Sequence, residues 1–306
     1  MTQPPFWHPA RDKPQLWRTA LGLALVMAIW MATTFVMIIG GSQLYGESPS
    51  QFSQGNSWVA AAVFFATFLG FHLGLVLVLP LLHRRRYASL FGPTSRLHLR
   101  QFWLGASVML ALAVGLLLLM GIERLVLPEG AAPAVTQARP VLPWLLGLLP
   151  ALGLIFVQTF AEEAVFRGYL LQQLRVRFRS ALIWGIAPAL LFGLLHFQPS
   201  LYGTTNALAY VLNATVMGTF AAFVTLRTGN LGAAAGLHFG NNAALTLMGY
   251  GGTLEGFSLL TVEVDLASGY MTYSILSQTA LTALVFLTWW RWMNRHRPIA
   301  NDASAA

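Results

Sequence analysis

The stretch Ala161 to Leu170, AEEAVFRGYL, sets two adjacent carboxylates and an arginine inside an otherwise apolar run. Charge in a hydrocarbon-like segment is expensive unless it is paired, so such a cluster points to function. On a helix turning roughly 100° per residue, Glu163 and Arg167 share a face while Glu162 points about a quarter-turn away. One glutamate is therefore expected to neutralise the arginine, leaving the other free for chemistry. Two more polar groups interrupt the second half of the chain, Phe192-Gly-Leu-Leu-His196 and His238-Phe-Gly-Asn-Asn242. In each, the first and last residues project from one helical face.

A carboxylate base, two imidazoles and an amide are the parts needed to activate a water and to stabilise an oxyanion. Each part alone has a plainer reading. A Glu–Arg pair can simply fix a helix in place, and a lone membrane histidine often ties helices together. It is their coincidence that points to chemistry. Counted along helices from the basic turn at Arg179, Glu162 and His196 each lie about 25 Å away, and His238 lies roughly 16 Å beyond Arg227. Three separate segments are thus expected at one layer, in the middle to outer half of a bilayer. Cysteine is absent, which excludes disulfides, thiolate metal sites and a cysteine nucleophile. Lys13 is the only lysine and lies outside the apolar runs, as do Asp12, Asp265 and Asp302. A membrane Ser/Lys or aspartyl dyad is excluded with them.

The elements that must position these residues follow from composition. Of 306 residues, 56% are hydrophobic and 9% charged, and the mean hydropathy is +0.63. Such a chain is an all-α, polytopic transmembrane bundle. About eight spans are expected, near 18–41, 58–82, 102–126, 144–166, 182–198, 206–226, 231–250 and 272–292, with Pro143, Pro150 and Pro188 able to kink or divide the later ones. The site falls between late helices. The net charge of +8 sits in short loops, HRRRYASLFGPTSRLHLR from His83, RVRFR from Arg175, the Arg227 turn and RWMNRHR from Arg291. That is a positive-inside pattern with both termini in the cytoplasm, and it argues against nucleic acid as a partner. Trp58, Trp103, Trp144, Trp184, Trp289, Trp290 and Trp292 fall near span ends, as interfacial anchors should. The expected organisation is a cytoplasmic tail to residue 17, N-terminal membrane helices over 18–140, a catalytic core over 141–250, and a loop, last span and basic tail over 251–306.

EExxxR, FxxxH and HxxxN, in this order on successive late spans, resemble the CAAX-protease and bacteriocin-processing family of intramembrane proteases, also called Rce1-like or Abi. The resemblance covers about Leu145 to Leu247, and the first three spans match only in being hydrophobic. It implies that Glu162 is the general base polarising a water and that His196 holds the water. It also implies that His238 and Asn242 stabilise the oxyanion while Glu163 with Arg167 orients the site, the substrate being a membrane-associated peptide or protein. Two histidines plus a glutamate (Glu162, His196, His238) also make a zinc set. A metal-free reading is favoured, because an oxyanion role for Asn242 leaves the histidines occupied. The alternative class is a non-hydrolytic membrane protein, either a proton-coupled transporter using Glu162 and His196 as a relay or an immunity or scaffold protein. Paired broken helices or inverted repeats, which would favour transport, are not found in the sequence.

Overall fold

The structure, a computed structural model, describes residues 4–128 and 130–296. The ends of the expected N- and C-terminal tails lie outside these residues. Helices dominate: α1 (Leu16–Tyr45), α2 (Trp58–His83), α3 (Leu99–Val126), α4 (Val141–Arg175), α5 (Leu182–Leu194), α6 (Pro199–Thr228), α7 (Gly232–Ala243) and α8 (Gly269–His296). Six of them, all but α5 and α7, are long and apolar enough to cross a membrane. The protein is an all-α, multi-pass membrane bundle.

The two spans expected at 182–198 and 231–250 are shorter as helices than expected. α5 stops before His196, and α7 gives way to a 3-10 turn at Ala244–Thr246 and then to a strand. Helix ends elsewhere follow local chemistry. Ser57 caps α2 by accepting from the Ala60 amide at 3.1 Å, and Gly46 and Gly229 close α1 and α6 in the left-handed conformation. Gly203 (φ 65°, ψ 162°) breaks α6 near its start, a conformation open to glycine. Pro150 is accommodated within α4 and does not divide it.

Loops gather at two opposite ends. At one end, β1 (Ala134–Gln137), β2 (Met248–Tyr250) and β3 (Leu260–Glu263) form a sheet in the order β1-β3-β2. β1 runs antiparallel to β3, with Val135 opposite Val262, and β2 runs parallel to it. The 42–57 loop joins this cap through Leu254 N to Gln54 O at 2.7 Å and Gly256 N to Gly55 O at 3.0 Å. At the other end the basic loops meet. Asn230 donates to Phe91 O at 2.9 Å and Arg96 O at 2.8 Å, Arg18 donates to Leu82 O at 2.7 Å, and Arg227 donates to Met293 O at 3.3 Å. The described parts of both termini therefore lie at the basic end, as the loop charges require.

The core forms where α2, α4 and α5 meet, with Phe71, Leu75, Val165, Phe166, Tyr169 and Phe192 buried together. α7 is seated on α3 more closely than side chains allow. A Cβ on Gly236 would lie 1.9 Å from Phe102 O, and one on Gly240 would lie 2.4 Å from Ala106 O. Gly232, Gly236 and Gly240 recur every fourth residue, so one bare stripe meets α3 backbone to backbone, as small-residue faces do in membranes.

Candidate active site

Three elements deliver the expected side chains. α4 carries Glu162 and Glu163 at the end of its regular part and then winds as a π-helix over Ala164–Leu170, an irregularity frequent at functional sites. Glu163 and Arg167 pair at 2.7 Å, with both side chains buried. The guanidinium also lies over the Phe192 ring of α5 at 4.9 Å. On α6, Gly218 leaves the room it needs, because a Cβ there would stand 2.8 Å from Arg167 Nη2.

His238 bridges the two glutamates. Its Nδ1 lies 2.9 Å from Glu163 Oε1 and its Nε2 lies 3.4 Å from Glu162 Oε2. A carboxylate oxygen that already accepts from Arg167 takes a second donor most simply as His238 Nδ1–H, which turns Nε2 toward Glu162. Glu162 Oε2 in turn accepts from Gln158 Nε2 at 2.7 Å, and Gln158 Oε1 accepts from Asn242 Nδ2 at 2.9 Å. Glu162, Glu163, Arg167, His238 and Asn242 are thus in one bonded network.

His196 stands apart from that network. Its Nδ1 lies 3.0 Å from Phe192 O, and a carbonyl only accepts, so Nδ1 carries the hydrogen and Nε2 offers a lone pair. The Phe192 ring ties it to the rest, at 4.9 Å from the His196 ring and 5.9 Å from the His238 ring, edge-on to both. The antiparallel placement of α4 and α5 is as expected, but direct contact between His196 and Glu162 is not made.

The depth of the site differs from the sequence count. α4 ends at Arg175, so Glu162 is about 20 Å from its basic end but about 27 Å from Trp144 at the cap end. His238 is only about 9 Å beyond the start of α7. The site therefore lies nearer the basic end. Counting from Arg179 overstated the depth because residues 176–180 are not helical.

Fit to a zinc ion was tested on the donor set. Ligand bonds of about 2.0–2.2 Å in a tetrahedron hold donor atoms roughly 3.3 Å apart, which the Nε2 to Oε2 separation of 3.4 Å suits. A third protein ligand is needed as well. Among the described residues no three His, Asp or Glu side chains group as a metal site, so the set Glu162, His196 and His238 is not assembled.

Sequence reasoning missed Gln158, buried one turn before Glu162, as well as Asn241 and Gln278. Asn241 donates to Asn242 Oδ1 at 2.9 Å and Gln278 donates to Asn241 Oδ1 at 3.1 Å. The i, i+4 spacing of Gln158 and Glu162 was a usable signal for the first. Nothing local marked Gln278.

Fold and site together define a multi-pass helical membrane protein with a carboxylate, imidazole and amide centre between its late helices. Residues 143–244 match the family described as type II CAAX prenyl endopeptidase Rce1-like. The matched stretch holds every residue of this centre except Gln278. A curated relative, an uncharacterized protein YyaK of Bacillus subtilis (strain 168), is 28% identical over 177 residues. The alignment spans 57% of this chain and 56% of that relative, little more than half the relative's length.

Proposed function

We propose that the protein is an intramembrane endopeptidase of the CAAX type, acting on a membrane-associated peptide or protein from the cell membrane, with its basic end in the cytoplasm. The observation that carries this reading is the bridge from Glu163 through His238 to Glu162, with Gln158 donating to the same Glu162 oxygen and Asn242 donating to Gln158. Its position nearer the basic end suits a substrate presented from the cytoplasmic leaflet.

In this mechanism His196 Nε2 accepts one hydrogen of the attacking water and fixes its oxygen. Glu162 removes the other hydrogen as that oxygen bonds to the scissile carbonyl carbon, and the C=O electron pair moves onto oxygen. The second N–H of Asn242, beyond the one bonded to Gln158, meets the oxyanion, with the proton-bearing His238 beside it. The proton held between Glu162 and His238 Nε2 then passes to the amide nitrogen as the C–N bond breaks. Glu163 and Arg167 keep His238 in its tautomer and orientation, the part an orienting carboxylate plays in hydrolytic triads.

The test is cleavage of a reconstituted membrane-delivered substrate, read by mass spectrometry. Asn242→Ala is expected to lower kcat by about 10²–10³-fold with KM little changed. Unchanged kcat removes the oxyanion assignment. Failure of the wild type to cleave, together with a proton flux that depends on Glu162, would instead mark a transporter. Chemistry without a metal is expected to survive chelation with less than one equivalent of zinc per chain by elemental analysis, and one tight zinc per active chain would overturn that part.

A further inference from the structure

One hydrogen-bonded chain runs through four carboxamides and stops on Glu162. Gln278 Nε2 on α8 donates to Asn241 Oδ1 at 3.1 Å, and Asn241 Nδ2 donates to Asn242 Oδ1 at 2.9 Å. Asn242 Nδ2 donates to Gln158 Oε1 at 2.9 Å, and Gln158 Nε2 donates to Glu162 Oε2 at 2.7 Å. Three helices contribute, and every donor points the same way.

The direction is not free. An ionised carboxylate only accepts, so Gln158 must turn its NH₂ toward Glu162 and its oxygen toward Asn242. Asn242 must then donate to Gln158 and receive from Asn241, which in turn must receive from Gln278. Reversing any amide would set two oxygens or two NH₂ groups against each other within a low-dielectric interior, where unmatched polar atoms are most costly. α8 is itself held in register beside the chain, because Asn213 donates to Thr279 Oγ1 at 2.8 Å. Asn206 donates to Leu266 O at 2.7 Å just before the start of α8.

We infer that Gln158, Asn241 and Gln278 are positioning residues that fix the Asn242 carboxamide with its NH₂ on the Glu162 side, so that the last helix sets the oxyanion donor. This rests on the hydrolase reading above and deepens it. An unsupported Asn242 can rotate about its last side-chain bond and present oxygen to the developing negative charge. With the chain intact, that rotation breaks two hydrogen bonds.

The experiment compares Gln278→Leu, Gln278→Glu, Gln278→His and Asn241→Leu, each alone and combined with Asn242→Ala, by kcat and KM. Gln278→Leu and Asn241→Leu are expected to lower kcat about tenfold with KM unchanged. Gln278→Glu, which cannot donate, should do no better than leucine, while Gln278→His keeps a donor and should recover most of the loss. None of them should lower kcat further in the Asn242→Ala background, since they act only through that amide. A loss of equal size in that background means a general structural role and overturns the inference.

A second readout does not depend on turnover. In ¹⁵N-asparagine-labelled protein in detergent, the Asn242 NH₂ hydrogens should exchange at least about tenfold faster in Gln278→Leu than in wild type. Unchanged exchange overturns the inference even where the wild type cleaves normally. Absence of any cleavage defeats the hydrolase reading, and the exchange measurement then decides by itself whether the chain holds Asn242. Should Asn241→Leu fail to fold, the Gln278 series decides the question alone.

Discussion

α4 carries two buried polar clusters within three turns, and they are built on different terms. Glu162, Glu163 and Arg167 meet His238, so two carboxylates face one fixed cation and one imidazole. Further along, Tyr169, Gln172 and Gln173 meet the 83–90 loop. His83 pairs with the Tyr169 hydroxyl at 2.8 Å, and Gln172 accepts from Arg85 and donates to Ser89 O and Leu90 O at 3.2 and 3.3 Å. There the acceptors are neutral, and burial alone lowers the pKa of Arg85 to about 10. The basic-end cluster is a clasp of neutral acceptors around one cation. In the first cluster Glu162 Oε2 and His238 Nε2 face each other at 3.4 Å. Burial is common to both, so what separates site from scaffold is that carboxylates face an imidazole in one and not in the other.

The sharpest way to break this contrast is to split the glutamates. Glu162→Ala is expected to abolish turnover while leaving stability within about 1 kcal/mol. Glu163→Ala strands Arg167 and should destabilise the protein by roughly 3–5 kcal/mol, and equal loss of folded protein in both variants, judged by thermal unfolding in detergent, would erase the distinction. A smaller effect is expected in the clasp. Gln172→Leu removes an acceptor from Arg85 and should cost about 1–3 kcal/mol with kcat per folded molecule unchanged, so a fall in kcat would mean that the clasp also serves the chemistry. The mildest change is Gly218→Ala. Its methyl presses on Arg167 Nη2, and the flexible guanidinium should yield at about 1 kcal/mol with a measurable loss of kcat. Full activity there would show that Arg167 needs no exact seat.

Much of the site was legible because charge and amide groups are conspicuous against hydrocarbon. The Glu163–Arg167 pair follows from spacing alone, and the convergence of α4, α5 and α7 follows from loop charge and antiparallel counting. Span lengths were less legible. Residues 195–198 and 244–250 are apolar enough to extend a hydropathy window, yet they form turns and a strand, so α5 and α7 came out too long. Tryptophans at span ends read as lipid anchors, but Trp144 donates to Thr246 O at 2.7 Å and Trp184 is buried, donating to Arg179 O at 3.2 Å. The amide chain was hidden because a single Gln in an apolar helix has no period of its own, and its meaning depends on which helices become neighbours.

The cap sheet sets a timetable for making this protein. Ala134 pairs with Glu263 and Gln137 with Leu260, so β1 waits unpaired while more than a hundred later residues are synthesised. By then all of α4, α5, α6 and α7 have emerged, and the site residues on them exist before the cap can be latched. Elongation proceeds at about 5–20 residues per second, which leaves an interval of several seconds in which the cap sheet stays open. Quality-control proteases would meet the nascent chain in that window, and a chain that stops short of Leu260 never leaves it.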